Sequence, residues 1–350
     1  MIKNQNFFFA GLILLGCTSG CQNPATKVDS NFINVSGEAQ GTSYSITYLD
    51  STGEKFSKAM ADSLLDAIDL SLSTWVENSA ISVFNQSDSI AVTDPHFLNM
   101  YFRGKEIGEL TNGSFELKIS PLVNAWGFGP EGAKPKGDVD VDSLLELVHT
   151  DFTVVPDTSA SSESARFLFL KKAGQAVDVN GIAQGYTVDV MSDALKREGI
   201  NDFMVEIGGE VSASGRNQDG NIWRIGIDKP LPPTEARELE AVVELNNLSM
   251  ATSGSYRKFY EQDGKKYSHT IDPITGKPVD HNLLSVTVQA LNCTNADAFA
   301  TAFMVMGVDG TKQFIAENPQ LDLEVFLIFG SEDGYETYTS SGFKKSMKNL

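Results

Sequence analysis

The chain has 350 residues, of which 27 are Lys or Arg and 46 are Asp or Glu, giving a formal net charge of −19. This balance argues against a nucleic-acid binder, which needs a basic face, and leaves any anionic ligand to be held by backbone amides, helix ends or a metal ion. With three cysteines and four histidines, and no second cysteine or histidine at ligand spacing, neither a disulfide framework nor a zinc site is expected.

In residues 1–16, Lys3 precedes an apolar run from Phe7 to Leu15. The run falls well short of the roughly 20 residues that span a bilayer and reads as a secretory signal. Its end, Leu14-Leu15-Gly16-Cys17, resembles a bacterial lipobox, in which Cys17 is lipidated and becomes the new N-terminus. An ordinary signal peptide with an incidental cysteine is the plainer alternative. Cys21 fits less well, because Thr18 stands where the pattern has a bulky aliphatic. Residues 17–33 then read as a lipidated cysteine and polar tether, with one folded domain over 34–345.

Residues 35–49 alternate and are β-rich, which predicts a strand or hairpin. From Glu54 to Leu72, Phe56, Met60, Leu64, Ile68 and Leu72 recur every four residues and mark one face of a helix. A second helix is predicted from Pro95 to Leu110, stopping near Gly113. Residues 130–165, rich in Gly, Pro, Ser and Asp, read as a surface excursion. Within it Asp138 to Ser143 invites a calcium-loop reading, but Ser143 stands where that loop needs Gly and His149 where it needs Glu. A helix N-cap is expected there instead.

A strand at 166–170, a helix from Ile182 to Glu198 and a strand at 203–207 follow. Short strands are predicted at 223–227, 241–245 and 283–289, then a helix from Asn295 to Met306 and a closing hairpin over 323–339. Strands outnumber crossover helices, so the predicted class is α+β with largely antiparallel sheet. No repeat of solenoid or propeller period is present.

Several stretches carry chemistry. In 177–191 a strand is expected to end at Asp178, and Asn180-Gly181 to open a helix whose inner face is Ala183, Tyr186, Val190 and Ala194. Gly181 and Gly185 permit close approach to its first turn, whose N–H groups attract anions; simple capping by Asp or Asn explains the same residues. Gly208-Gly209 lets a ring or phosphate lie against bare backbone, or makes an ordinary turn. Residues 250–259 offer small hydroxyls and Gly254 beside Tyr256 and Arg257.

Asp297 and Thr301 are four apart and share a helix face near its first turn, with Asn295 as N-cap. Such a pair of hard oxygens suits Mg²⁺; an acid at the dipole and a core threonine would look the same. His269, just before Asp272-Pro273 and a Thr-Gly turn, reads as either a catalytic base or a strand-end residue. No Walker loop, GxGxxG after a strand, GxSxG or HExxH is present.

Taken in order, these segments resemble the FAD:protein FMN transferases, the ApbE-type flavin transferases, many of them exported lipoproteins. The matching stretches are QGTSYSI (40–46), LSTWVENSAISVFN (72–85), GSFELKISPLVNAWGFG (113–129) and DVNGIAQGYTVD (178–189). They continue with IGGEVSASG, WRIGI, ATSGSYR, HTIDPITGKPV and ADAFATAFMVMG, across most of residues 38–307.

The resemblance implies cleavage of FAD, transfer of FMN through a phosphoester to a threonine or serine of a partner protein, and release of AMP. It implies Mg²⁺ held by Asp297, Thr301 and an oxygen from the Gly181–Ala183 turn. FAD would lie along Gln40, Gly41, Thr42, Trp75, Ser114, Phe115, Glu116, Asp178, Gln184, Gly208, Gly209, Thr270 and Ile271. His269 stands in the family's histidine position, implying a base for the acceptor hydroxyl, with Asp272 as its orienter or an alternative base.

Implied partners are flavin-bearing subunits of membrane electron-transport complexes, sodium-pumping or RNF-type, with the protein lipid-anchored and facing the periplasm. The same site would serve a Mg²⁺-dependent FAD pyrophosphatase, whereas a non-catalytic FAD-binding lipoprotein has no need of the Asp297–Thr301 pair. Departures from the commoner pattern are Gln184 for lysine, Glu116 for aspartate, Gln40 for methionine and Trp75 for tyrosine. Gln184 matters most, since it removes a positive charge from the phosphate region.

Overall fold

The computed structural model describes residues 32–53, 55–129, 139–157, 166–231, 235–255, 259–262 and 265–349. The leader with Cys17 and Cys21, the tether through residue 31, parts of the 130–165 excursion, and Tyr256 and Arg257 lie outside the described residues.

Eight strands make one sheet: Phe32–Ala39, Thr42–Leu49, Phe203–Ile207, Glu210–Ser214, Leu248–Gly254, Leu283–Ala290, Glu324–Ser331 and Gly334–Thr339. Their order across the sheet is their order along the chain, and every neighbouring pair is antiparallel. The predicted α+β class with antiparallel sheet holds. The first strand begins two residues before the expected boundary at 34. At the other end Met347–Lys348 pairs with Val242 and Val243, past the expected boundary at 345.

Alternation along the central strands explains how the sheet is covered on both faces. Met250, Phe326 and Ile328 point into a core shared with Trp223, Val243 and Phe343. That core lies beneath a second sheet of Trp223–Asp228, Leu239–Leu245 and Met347–Lys348. Ala251, Val325 and Leu327, one residue out of phase, face the opposite core with Phe299 and Phe303. Those two phenylalanines belong to the helix Cys293–Glu317. The helix Ala183–Arg197 packs beside it, burying Val188, Met191 and Leu195 against Val205 and Ile207.

Several predicted elements need correction. In Lys58–Leu72 the buried apolar residues are Ala61, Leu65, Ile68 and Leu72, while Met60 is exposed. A strict four-residue repeat drifts by about 40° per step around a 3.6-residue helix, so the expected face holds only over its last turns. The strand expected to end at Asp178 does not form; the Asp178 N–H donates to Leu117 O at 2.7 Å. On Ala183–Arg197 the expected inner residues Tyr186 and Val190 are only partly buried, and the deeper contact is the Val188–Leu195 side. By contrast, Pro95–Leu110 forms as predicted, and Asp140 caps Val141–His149 by accepting from Ser143 N.

The cap of the Cys293–Glu317 helix is Asn292, whose side chain accepts from Asn295 N; Asn295 itself lies inside the first turn. The expected end at Met306 falls at a real break, Gly307, where φ is 71° and ψ is −172°. His281 fills the notch, its Nε2 donating to Met304 O at 2.9 Å. A further helical segment then runs on to Glu317. No helix among the described residues is long and apolar enough to cross a membrane.

The Ala183 and Cys293 helices touch at Gly185. A Cβ there would come within 2.3 Å of Cys293 O and 2.7 Å of Asp297 Cβ. Alanine is favoured over glycine in a helix by about 1 kcal/mol, but a backbone carbonyl cannot yield to it. Gly185→Ala is therefore expected to destabilise the protein by roughly 1–3 kcal/mol, read as a lowered denaturation midpoint at unchanged m-value.

Candidate active site

The first four N–H groups of a helix lack intrahelical acceptors, and the two touching helices supply them to each other. Asp189, on Ala183–Arg197, accepts from Cys293 N at 2.8 Å through Oδ1. Its Oδ2 accepts from Thr294 N at 2.8 Å and Thr294 Oγ1 at 2.5 Å. In return Asp297 Oδ2 accepts from Gly185 N at 2.9 Å, in the first turn of the Ala183 helix. Asp189 was given no role by the sequence.

Burial pushes both acids above the usual carboxylate range. For Asp297 the Gly185 N–H opposes that rise and the charge of Asp189 adds to it. For Asp189 the Thr294 hydroxyl and the two backbone N–H groups oppose it.

One turn beyond Asp297, Thr301 Oγ1 donates to Gly181 O at 3.3 Å and lies 3.5 Å from Ser253 Oγ. A Cβ on Gly181 would sit 2.9 Å from Thr301 Oγ1, so only glycine lets that carbonyl approach the hydroxyl. Among the predicted metal residues, Asp297, Thr301 and Gly181 thus converge on one helical turn. Ala183 O points along its own helix and accepts from Thr187 Oγ1 at 2.7 Å. Among the described residues no three of His, Cys, Asp and Glu gather where they could hold a metal. A cation here would rest on one carboxylate and neutral oxygens.

The hairpin tip reaches the same turn. Gln40 and Gly41 both take positive φ, 52° and 73°, the conformation a two-residue hairpin turn requires. Gln40 Nε2 donates to Thr187 Oγ1 at 2.8 Å. Because the single Thr187 proton goes to Ala183 O, the amide orientation is fixed, and Gln40 Oε1 is left buried without a partner. Gly208, at φ 64°, leaves no room for a Cβ, which would meet Gln184 Nε2 at 2.7 Å and Thr42 Cγ2 at 2.9 Å. Gln40–Thr42, Gln184 and Gly208-Gly209 are therefore neighbours, although Gln40 and Gly208 stand 168 positions apart in the chain.

The remaining predicted residues stand on other elements. Asp178 accepts from Asn180 through both oxygens, N to Oδ1 and Nδ2 to Oδ2, and burial raises its pKa. Glu116 accepts from Lys118 N at 2.8 Å; burial raises its pKa against the attraction of Lys118. Trp75 is 74% exposed, an unusual position for so large an apolar ring. The side chains of Phe115 and Ile271 belong to cores instead, beside Leu117 and Leu122 respectively, so only their backbones are open to a ligand.

His269 is half-buried, with its ring edge-on to Phe128 at 6.4 Å between centroids. Thr270 and Val279 close the loop behind it through Val279 N to Thr270 O at 3.0 Å. The Asp272 carboxylate is engaged in its own turn, accepting from Ile274 N and Thr275 Oγ1, both at 2.8 Å. Its evident work is to shape the turn after His269, not to orient the imidazole.

The model of the ApbE family matches residues 40–327. The chain is 36% identical over 352 residues to a FAD:protein FMN transferase of Vibrio cholerae serotype O1, covering 98% of each chain. It is 33% identical over 330 residues to a FAD:protein FMN transferase of Haemophilus influenzae, covering 92% of this chain and 93% of that one. Its fold is similar to the solved structure of the flavin transferase ApbE from Vibrio cholerae, with a TM-score of 0.76 at 34% identity, over 91% of this chain and 99% of the other. On both the family match and the length of the shared sequence, this chain belongs to the ApbE family.

Proposed function

We propose that this protein is a Mg²⁺-dependent FAD:protein FMN transferase. It breaks the pyrophosphate of FAD, joins the FMN phosphorus to the hydroxyl oxygen of a threonine or serine in a partner protein, and releases AMP. The name carried by the relatives supports the reaction. The observation that carries it in this chain is the oxygen set at the helix crossing, Asp297, Thr301 Oγ1 and Gly181 O. It consists of hard oxygen donors with few charges, as Mg²⁺ prefers when substrate phosphates and water complete its shell. Bound there, Mg²⁺ would polarise the pyrophosphate and neutralise charge developing on it.

The chain's own residues do the rest by alignment, which supplies most of the catalysis in phosphoryl transfer. Trp75 offers an exposed ring face for stacking. The Gly208-Gly209 turn, Gln184 and the Gln40–Thr42 tip line the first turn of the Ala183 helix. His269, whose side-chain type titrates near working pH, takes the proton from the acceptor hydroxyl. The leader ending in Cys17 supports a lipid-anchored envelope protein facing the periplasm, with flavin-bearing subunits of sodium-pumping or RNF-type complexes as acceptors.

Three outcomes test this reading. With FAD, Mg²⁺ and a competent flavin-bearing subunit, AMP release is expected to match the appearance of a fluorescent acceptor band on a denaturing gel; AMP without labelling would instead mean a pyrophosphatase. Asp297→Ala is expected to lower turnover at least about 100-fold, with the Mg²⁺ titration flattened. His269→Ala is expected to slow labelling by about 10²–10⁴-fold while FAD binding, followed by flavin fluorescence, persists.

A further inference from the structure

The loop carrying His269 is not part of the large sheet. After His269 the chain forms a ladder of two residues on each side, Ile271–Asp272 against Lys277–Pro278, and among the described residues this ladder pairs with no other strand. So short a ribbon has no stability of its own. What holds it are Leu122, Trp126 and the helix Val141–His149.

Three contacts make the hold. Trp126 Nε1 donates to Gly276 O at 2.8 Å, and His149 Nε2 donates to Pro273 O at 2.9 Å. Beneath them Ile271 packs against Leu122 and Val148, both fully buried. The fit leaves no slack: a Cβ on Gly276 would come within 2.5 Å of Val141 Cγ1. The two N–H donors thus grip two carbonyls of the turn that Asp272 shapes, and the turn sets where His269 stands.

We propose that Trp126 and His149 are positioning residues for His269, clamping the loop that carries the base. The proposal rests on the reading of His269 as the base. Its physical content is separability. The cation and the phosphates would be held where the Ala183 and Cys293 helices cap each other through Asp189 and Asp297, whereas the base, with the Thr270–Ile271 backbone beside it, is held through Trp126 and His149. Loosening the clamp misplaces the imidazole, and a displacement of about 1 Å costs up to about 100-fold in rate, while the helix crossing at Gly185 stays in place.

The experiment uses full-length protein in detergent, with FAD, Mg²⁺ and the soluble domain of a flavin-bearing subunit from a sodium-pumping oxidoreductase. Trp126→Phe keeps the ring and loses the donor; His149→Ala loses the second donor at an exposed position, and His149→Gln restores an N–H. Both donor-deleted variants are expected to lose kcat for labelling, by about 10–100-fold for Trp126→Phe. The FAD dissociation constant should change far less than kcat, and His149→Gln should recover most of the loss. Labelling at wild-type rate in both Trp126→Phe and His149→Ala, alongside an impaired His269→Ala, would overturn the clamp alone. Equal losses in labelling and FAD binding would overturn it too, by revealing a general structural defect. Full labelling by His269→Ala would remove the base assignment and the clamp with it.

Discussion

The site depends on an exchange of caps. The Ala183 and Cys293 helices meet with their N-terminal turns side by side, and each terminates its unpaired amides on an aspartate from the other. An N-cap acceptor is worth about 1 kcal/mol, a modest sum, but here the two caps also fix the relative rotation and translation of the helices. Glycine at 185 lets the backbones close to contact, and glycine at 181 lets a carbonyl meet Thr301. The oxygen set is therefore placed by helix crossing geometry, with both helices resting on a sheet whose strands are buried on each face.

That exchange has an electrostatic corollary. A chain of net charge −19 has few means of holding a pyrophosphate. Helix N-termini are an obvious one, yet amides of both first turns here already donate to Asp189 and Asp297. Gln184, beside Gly208, brings no charge to this spot. The cation proposed at this spot would supply the positive charge, and would oppose the rise that burial causes in the pKa of Asp297.

Local signals carried most of the fold. The 35–49 hairpin, the Pro95 helix, the Phe203 strand and the spacing of Asp297 and Thr301 were all legible, because each depends on periodicity or on residues within one turn. What escaped was decided at long range. Asp189 caps amides 104 and 105 residues away, and no local pattern marks its partner. Asn292 and Asn295 are equally good caps as residues, and only the chain's path selects the first. Asp272 beside a histidine invites an orienting role, but Ile274 and Thr275 claim both its oxygens. Phe115 and Ile271 sit inside matching motifs, yet their side chains are core, since a motif records position and not direction.

Because the large sheet is laid down in chain order, each strand lies beside the strand that precedes it. One connection is far longer than the others: between Leu49 and Phe203 the chain completes several helices, including Ala183–Arg197, before it returns. During folding the first hairpin closes on local contacts, but the outer edge of Thr42–Leu49 waits for a distant partner, and such non-local pairings are slow. Until then that edge presents unpaired amides and the apolar row Tyr44, Ile46 and Tyr48, which is the template that edge-to-edge aggregation uses. The insertion that supplies the Ala183 helix to the site is thus also the interval of greatest exposure, a hazard that belongs to the order of assembly and vanishes in the finished fold.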